Sequence, residues 1–117
     1  MTETVAVIFG GPSDEHDISI LTGLQSSRIL SNKYDVLNIY WTKDNKWYLV
    51  DQNLESIDFL DNDKILKKEL TIKYDSNPGF YLKKKNVKFN VAVNACHGGP
   101  GEDGTLQSLL TLLGIKY

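Results

Sequence analysis

The sequence predicts an α/β fold: a Rossmann-like open sheet, mainly parallel, flanked by helices and carrying a peripheral hairpin. Two glycine-rich turns predict it. Val5-Ala6-Val7-Ile8-Phe9 is a short, continuous apolar run that leads into Gly10-Gly11-Pro12-Ser13-Asp14-Glu15-His16-Asp17-Ile18-Ser19. Val91-Ala92-Val93-Asn94-Ala95-Cys96 is a second such run, and it leads into His97-Gly98-Gly99-Pro100-Gly101-Glu102-Asp103-Gly104. A continuous apolar run fits a strand covered on both faces, and each run and turn precedes a segment with helical periodicity. In an open parallel sheet such turns gather at the carboxyl ends of the strands, where ligands bind. Glu15 and His97 are therefore expected to face one site.

The elements follow in order. After the strand Val5–Phe9, a helix is expected from about Asp17 to Ser31. Ile18, Leu21 and Ile29 fall near one face, which Ile20 and Leu24 widen, and Ser13 or Asp14 is placed to cap the start. Tyr34–Trp41 reads as the second strand. Lys43-Asp44-Asn45-Lys46 is a polar turn, and Trp47–Val50 returns as a short strand. Between Asp51 and Lys68, Ile57, Leu60 and Ile65 fit either a short helix or irregular cover. Leu70–Tyr74 and Phe80–Leu82 flank Asp75-Ser76-Asn77-Pro78-Gly79, whose turn chemistry predicts the hairpin. After the strand Val91–Cys96, Leu106, Leu109, Leu110 and Leu113 form an apolar stripe at helical spacing, with Gly114 placed to end the helix. Ile115-Lys116-Tyr117 reads as the opening of a further strand, so the chain is expected to be one domain, residues 1–117, of something longer.

Composition narrows the function classes. The 117 residues are 41% hydrophobic and 24% charged, which is enough core and little enough charge for one folded domain rather than a disordered chain. A formal net charge of −2 argues against a nucleic-acid partner. The one basic run, Lys83-Lys84-Lys85, is expected on a solvated hairpin. A single cysteine excludes an internal disulfide. With no signal peptide and no apolar run near the roughly 20 residues that span a bilayer, a cytoplasmic setting without membrane contact is expected.

The motifs divide into chemistry and decoys. The first turn lacks the Gly-Lys-Ser/Thr ending of a phosphate-binding loop, yet its glycines allow close approach of a ligand. Glu15 sits near a helix start, where a carboxylate either complements the helix dipole or binds an ammonium group. Glu15, His16 and Asp17 do not form a metal set, because successive helical residues do not share a face; His16 is expected to be a structural hydrogen-bonder. Gly99-Pro100-Gly101-Glu102-Asp103-Gly104 matches Gly-x-Gly-x-x-Gly. Its acidic pair would repel a pyrophosphate, and only 13 residues follow it, too few for the acidic partner about 20 residues on. The pair fits better as capping for the leucine helix. Cys96 and His97 point to opposite faces, so Cys96 is read as a small buried hydrophobe and His97 as the residue that reaches the crevice or holds its loop.

Together, Val5–Ser19 and His97–Tyr117 resemble the two opening signatures of the D-alanine–D-alanine ligase family, in order and at the family's spacing. The resemblance implies the family's first, pre-ATP-grasp domain, with the two domains that clamp ATP and Mg2+ lying outside this chain. It implies a ligase of peptidoglycan precursor synthesis, in which ATP phosphorylates one D-alanine carboxylate and the amine of a second D-alanine attacks. Glu15 would hold the first D-alanine's ammonium group, Ile18 would pack near its methyl, and His97 would orient or neutralise its carboxylate and the acyl phosphate. Gly10, Gly11 and Gly98 would shape the pocket wall. Neither ATP nor Mg2+ is expected on this chain alone, which would fold without catalysing; a homodimer is expected of the full-length form. The alternatives are a D-lactate- or D-serine-using ligase of the same family, and a non-catalytic binding module with the same fold.

Overall fold

The computed structural model describes residues 3–117. Its order is β1 (Thr4–Gly10), α1 (His16–Leu30), β2 (Asp35–Trp41), β3 (Trp47–Val50), a 3-10 turn (Ser56–Leu60), α2 (Asn62–Ile65), β4 (Lys68–Lys73), β5 (Gly79–Leu82), β6 (Lys85–Asn86), β7 (Val91–Asn94), α3 (Gly99–Glu102) and α4 (Thr105–Leu112). One seven-stranded sheet runs β6-β5-β4-β3-β2-β1-β7. The open α/β sheet flanked by helices is as expected. β1 lies at the parallel centre, with Val5 opposite both Val36 and Val91, and Val5 to Phe9 are buried, as a strand covered on both faces requires.

The sheet is mixed rather than mainly parallel. β1 pairs in parallel with β2 and β7, and the four remaining pairings are antiparallel. The short turns after Trp41, Lys73 and Leu82 reverse the chain within a few residues, which leaves no room for a crossover helix, while β3 and β4 pair antiparallel across the longer segment 51–67. The expected hairpin, β4–β5, is thus part of a meander that continues the main sheet. The Lys83-Lys84-Lys85 run is exposed at its outer turn.

α1 buries a different face from the one its aliphatic residues predict. His16, Ser19, Ile20, Gly23, Leu24 and Ser27 are buried, whereas Ile18, Leu21 and Ile29 are 54%, 51% and 71% exposed. The reason is closeness. A β-carbon on Gly23 would lie 2.4 Å from the Phe9 ring, so the helix rides against β1 where only small side chains fit. Neither Ser13 nor Asp14 caps α1: Glu15 holds the N-cap position, without a side-chain capping bond. Of the two readings for Ile57, Leu60 and Ile65, the short helix holds: Ile57 and Leu60 lie exposed in the 3-10 turn, and Ile65 ends α2, buried in the same cluster as Phe59.

The other face is closed by α4. Leu106, Leu110 and Leu113 are buried against Ile8, Ile39, Trp41 and Ala92, while Leu112 is exposed. Gly114 adopts φ +71°. Its amide bonds to Thr111 O at 3.0 Å and that of Ile115 to Leu110 O at 2.9 Å, the paired bonds that satisfy a helix's last carbonyls. At the other end Gly104, not an acidic residue, holds the N-cap position without a side-chain capping bond; Asp103, just outside it, accepts from the Thr105 amide at 3.0 Å, and Glu102 lies in the separate turn α3. Beyond α4, Lys116 O accepts from Ala92 N at 2.7 Å, so the last residues lie alongside β7, as a strand opening there would.

Candidate functional site

The site forms where β1 and β7, neighbours in the sheet, both end. Gly10 and Gly11 turn the chain out of β1 with φ +97° and +91°. The Ser19 hydroxyl then fastens α1 to both strand ends: it accepts from Gly10 N at 2.8 Å and donates to Ala95 O at 2.8 Å. His16 is wholly structural, as expected. Its Nδ1 meets Gly11 O at 2.7 Å and its Nε2 meets the Tyr40 hydroxyl at 2.7 Å. A carbonyl only accepts, so Nδ1 carries the proton and Nε2 receives one from Tyr40. Burial pushes the Tyr40 phenol up to about 12, with Asp17 and Asp44 adding to the shift.

Glu15 and His97 are brought together. A β-carbon on Gly98 would lie 3.3 Å from Glu15 Oε1, and Gly98 itself sits at φ +70°. The left-handed backbone at Gly98 favours glycine there, and the Glu15 carboxylate stands against the space a side chain would take. Ser13 Oγ accepts from Glu15 N at 3.2 Å and donates to His97 O at 2.7 Å. The His97 ring reaches α1, with Nε2 at 2.9 Å from Thr22 Oγ1. Glu15 and Ile18 are exposed and His97 is half-buried, so all three are open to a ligand. Of the three glycines read as pocket wall, Gly98 borders Glu15, whereas Gly10 and Gly11 lie against Trp41.

Glu15 stands against Gly98, whereas buried His16 and exposed Asp17 both border a cavity of about 700 Å³ on the other flank of α1. That cavity is lined by Tyr40, Phe59 and Leu60 among others, but by neither Glu15 nor His97. Beside Gly98, the Glu15 carboxylate at the start of α1 stands next to the loop that carries the His97 imidazole. Cys96 is buried, and its burial pushes the thiol up to about 12, so it is inert packing as expected. Among the described residues no group of three His, Cys, Asp or Glu could hold a metal ion.

Sequence reasoning missed Ser13, Ser19, Thr22 and Tyr40. The hydroxyls carried a signal: Ser19, Thr22, Ser26 and Ser27 crowd a helix whose aliphatic pattern is weak, and small hydroxyls on one face mark close packing or local hydrogen bonds.

A crossed-over parallel core with a carboxylate and an imidazole near its carboxyl edge defines the class: an α/β domain of the open-sheet kind, whose ligands characteristically bind at that edge. Comparison with known proteins makes it particular. The family model described as D-ala D-ala ligase N-terminus matches residues 4–117, and the chain belongs to that family. A D-alanine–D-alanine ligase of Sulfurovum sp. is 35% identical over 97% of this chain and 33% of its own length. The D-alanine–D-alanine ligase of Helicobacter pylori superposes with a TM-score of 0.82 at 28% identity, over 97% of this chain and 35% of that one. The VanG D-Ala:D-Ser ligase of Enterococcus faecalis does so with a TM-score of 0.74 at 29% identity, over 99% of this chain and 35% of that one. The chain thus spans about a third of the length of the relatives it matches.

Proposed function

We propose that this chain forms the first-substrate wall of an ATP-dependent D-alanine–D-alanine ligase of peptidoglycan precursor synthesis, working in the cytoplasm as one domain. Glu15 binds the ammonium group of the first D-alanine, Ile18 packs against its methyl, and His97 faces its carboxylate. Gly98 leaves the space in which ligand and backbone meet. The observation that carries this reading is the juxtaposition of Glu15 with the loop of His97, through Ser13 and across Gly98. A carboxylate and an imidazole side by side match the two ends of a zwitterionic amino acid, and a charge-assisted hydrogen bond to the ammonium contributes about 1.5–3 kcal/mol. ATP and Mg2+ are held by ATP-grasp domains beyond this chain, and the full-length form is a homodimer.

The test is Glu15→Gln in the full-length enzyme, with one Michaelis constant measured per subsite. The first D-alanine weakens roughly ten- to a hundredfold, and the second changes much less, since its amine must stay free to attack. A drop in melting temperature with both constants unmoved would leave Glu15 a helix-dipole carboxylate and defeat the reading.

A further inference from the structure

We infer that Thr22 sets the tautomer of His97: its hydroxyl keeps a proton on Nε2, which leaves Nδ1 as the nitrogen that meets a ligand. Thr22 acts through His97 and is a positioning residue. The role of the ligand-facing nitrogen rests on the proposed function; the tautomer itself does not.

The argument is one of proton counting. Thr22 Oγ1 lies 3.2 Å from Ile18 O, one turn back along α1, and 2.9 Å from His97 Nε2. A hydroxyl has one proton to give and two lone pairs to offer. Threonine in a helix characteristically returns that proton to the carbonyl four residues earlier. With its proton on Ile18 O, Thr22 can only accept from His97, so Nε2 must carry hydrogen. The chain Nε2–H to Thr22 to Ile18 then ends on a carbonyl oxygen, which can only accept. It suits both the neutral ring and the imidazolium, and it reserves proton gain and loss for Nδ1. Ser13 fixes the backbone of the same residue by donating to His97 O at 2.7 Å. Ring and main chain are thus anchored independently, and Nδ1 makes no hydrogen bond among the described residues. Protonated, Nδ1 donates to an anionic carboxylate; bare, it would repel one.

His16 is the internal contrast. Its Nδ1 faces the Gly11 carbonyl at 2.7 Å and its Nε2 receives the Tyr40 proton, which is the opposite tautomer. The two histidines are the only ones in the chain, so imidazole nitrogen spectra contain two spin systems with opposite expected patterns.

The experiment is imidazole 15N NMR on the histidine-labelled 117-residue chain, its Thr22→Val and Thr22→Ser variants, and the full-length protein. In the parent chain, neutral His97 gives a single tautomer protonated at Nε2, and His16 one protonated at Nδ1. Thr22→Ser retains the His97 pattern. Thr22→Val loses it to an exchange-averaged mixture while His16 keeps its own pattern, which certifies that the fold is intact. Neutral His97 protonated at Nδ1 in the parent chain would overturn the inference, as would a pattern unmoved by valine. In the full-length enzyme, Thr22→Val lowers turnover severalfold more than it raises the Michaelis constants, and Thr22→Ser restores it. If the tautomer pattern holds while His97→Ala leaves turnover intact, the proposed role of His97 fails and the assignment of Thr22 stands.

Discussion

The hydroxyl of Ser13 donates to the carbonyl oxygen of His97 across 2.7 Å, joining residues 84 positions apart in the sequence. It also receives the amide of Glu15, so one oxygen atom holds the two turns in register. Ser13→Ala removes both bonds. The expected cost is about 1 kcal/mol of stability, read as a lower melting temperature of the chain. In the full-length enzyme, the affinity for the first D-alanine should fall with it. An unchanged melting temperature and affinity would mean that the turns are held by other contacts.

His97→Ala in the full-length enzyme is expected to lower turnover more than it weakens ATP binding. His97 follows β7 beside glycines, and it is half-buried rather than sealed in a packed core. Steady-state kinetics with a separate nucleotide titration distinguishes the two effects. Equal losses in both would point to a structural role alone.

The chain by itself is expected to give no heat of binding when titrated with Mg-ATP, because the proposal places both in other domains. Micromolar affinity in a calorimeter would contradict that division of labour.

Alkaline pH should destabilise the fold earlier than exposed groups alone would require. Burial raises the Cys96 thiol from 9.0 to about 12 and the Tyr40 phenol from 10.0 to about 12. A raised pKa means that the folded state keeps its proton where the unfolded state releases it. The associated stability is whole below pH 9, declines as pH rises through that window and is gone above about 12. The thiol contributes up to about 4 kcal/mol and the phenol up to about 3 kcal/mol on the scale of 1.36 kcal/mol per unit. Denaturant melts from pH 8 to 11 should show the decline, and in Cys96→Ala it should begin nearer the tyrosine's range.

Gly23→Ala should destabilise by about 1–3 kcal/mol, the usual cost of overpacking. The added methyl meets the Phe9 ring, which has no free space to yield because Phe9 is fully buried among Tyr40 and Phe59. Leu112→Ser on the exposed side of α4 makes the control, with little change in melting temperature.

The strands and the leucine helix were legible because their signals are local. Val5–Phe9 is a buried run, Val91–Cys96 is one in which Ala92, Ala95 and Cys96 are buried and the rest half-buried, and Leu106, Leu110 and Leu113 share one helical face that Gly114 closes. The buried face of α1 was not legible from hydrophobicity, because contact with β1 is set by the size of Gly23, Ser19 and Ser27 rather than by apolar area. The sheet's mixed character was legible only in the turn lengths. At the site, Glu15 and His97 stood out as charged or titratable residues beside glycines. Their fasteners, Ser13 and Thr22, are hydroxyls whose partners lie more than seventy residues away, and no local pattern announces such a bond.

The stack of Trp41 on Trp47, with ring centres 4.6 Å apart and planes 9° from parallel, gives the molecule an optical gauge. These are its only two indoles. Trp41 ends β2, its carbonyl receives the Gly11 amide at 2.7 Å, and a β-carbon on Gly11 would come within 3.3 Å of its ring. Two indoles so placed couple as excitons, and the coupling depends steeply on their separation and tilt. A movement of the first glycine turn, on which Glu15 rides, would therefore be written into circular dichroism and fluorescence without any added label.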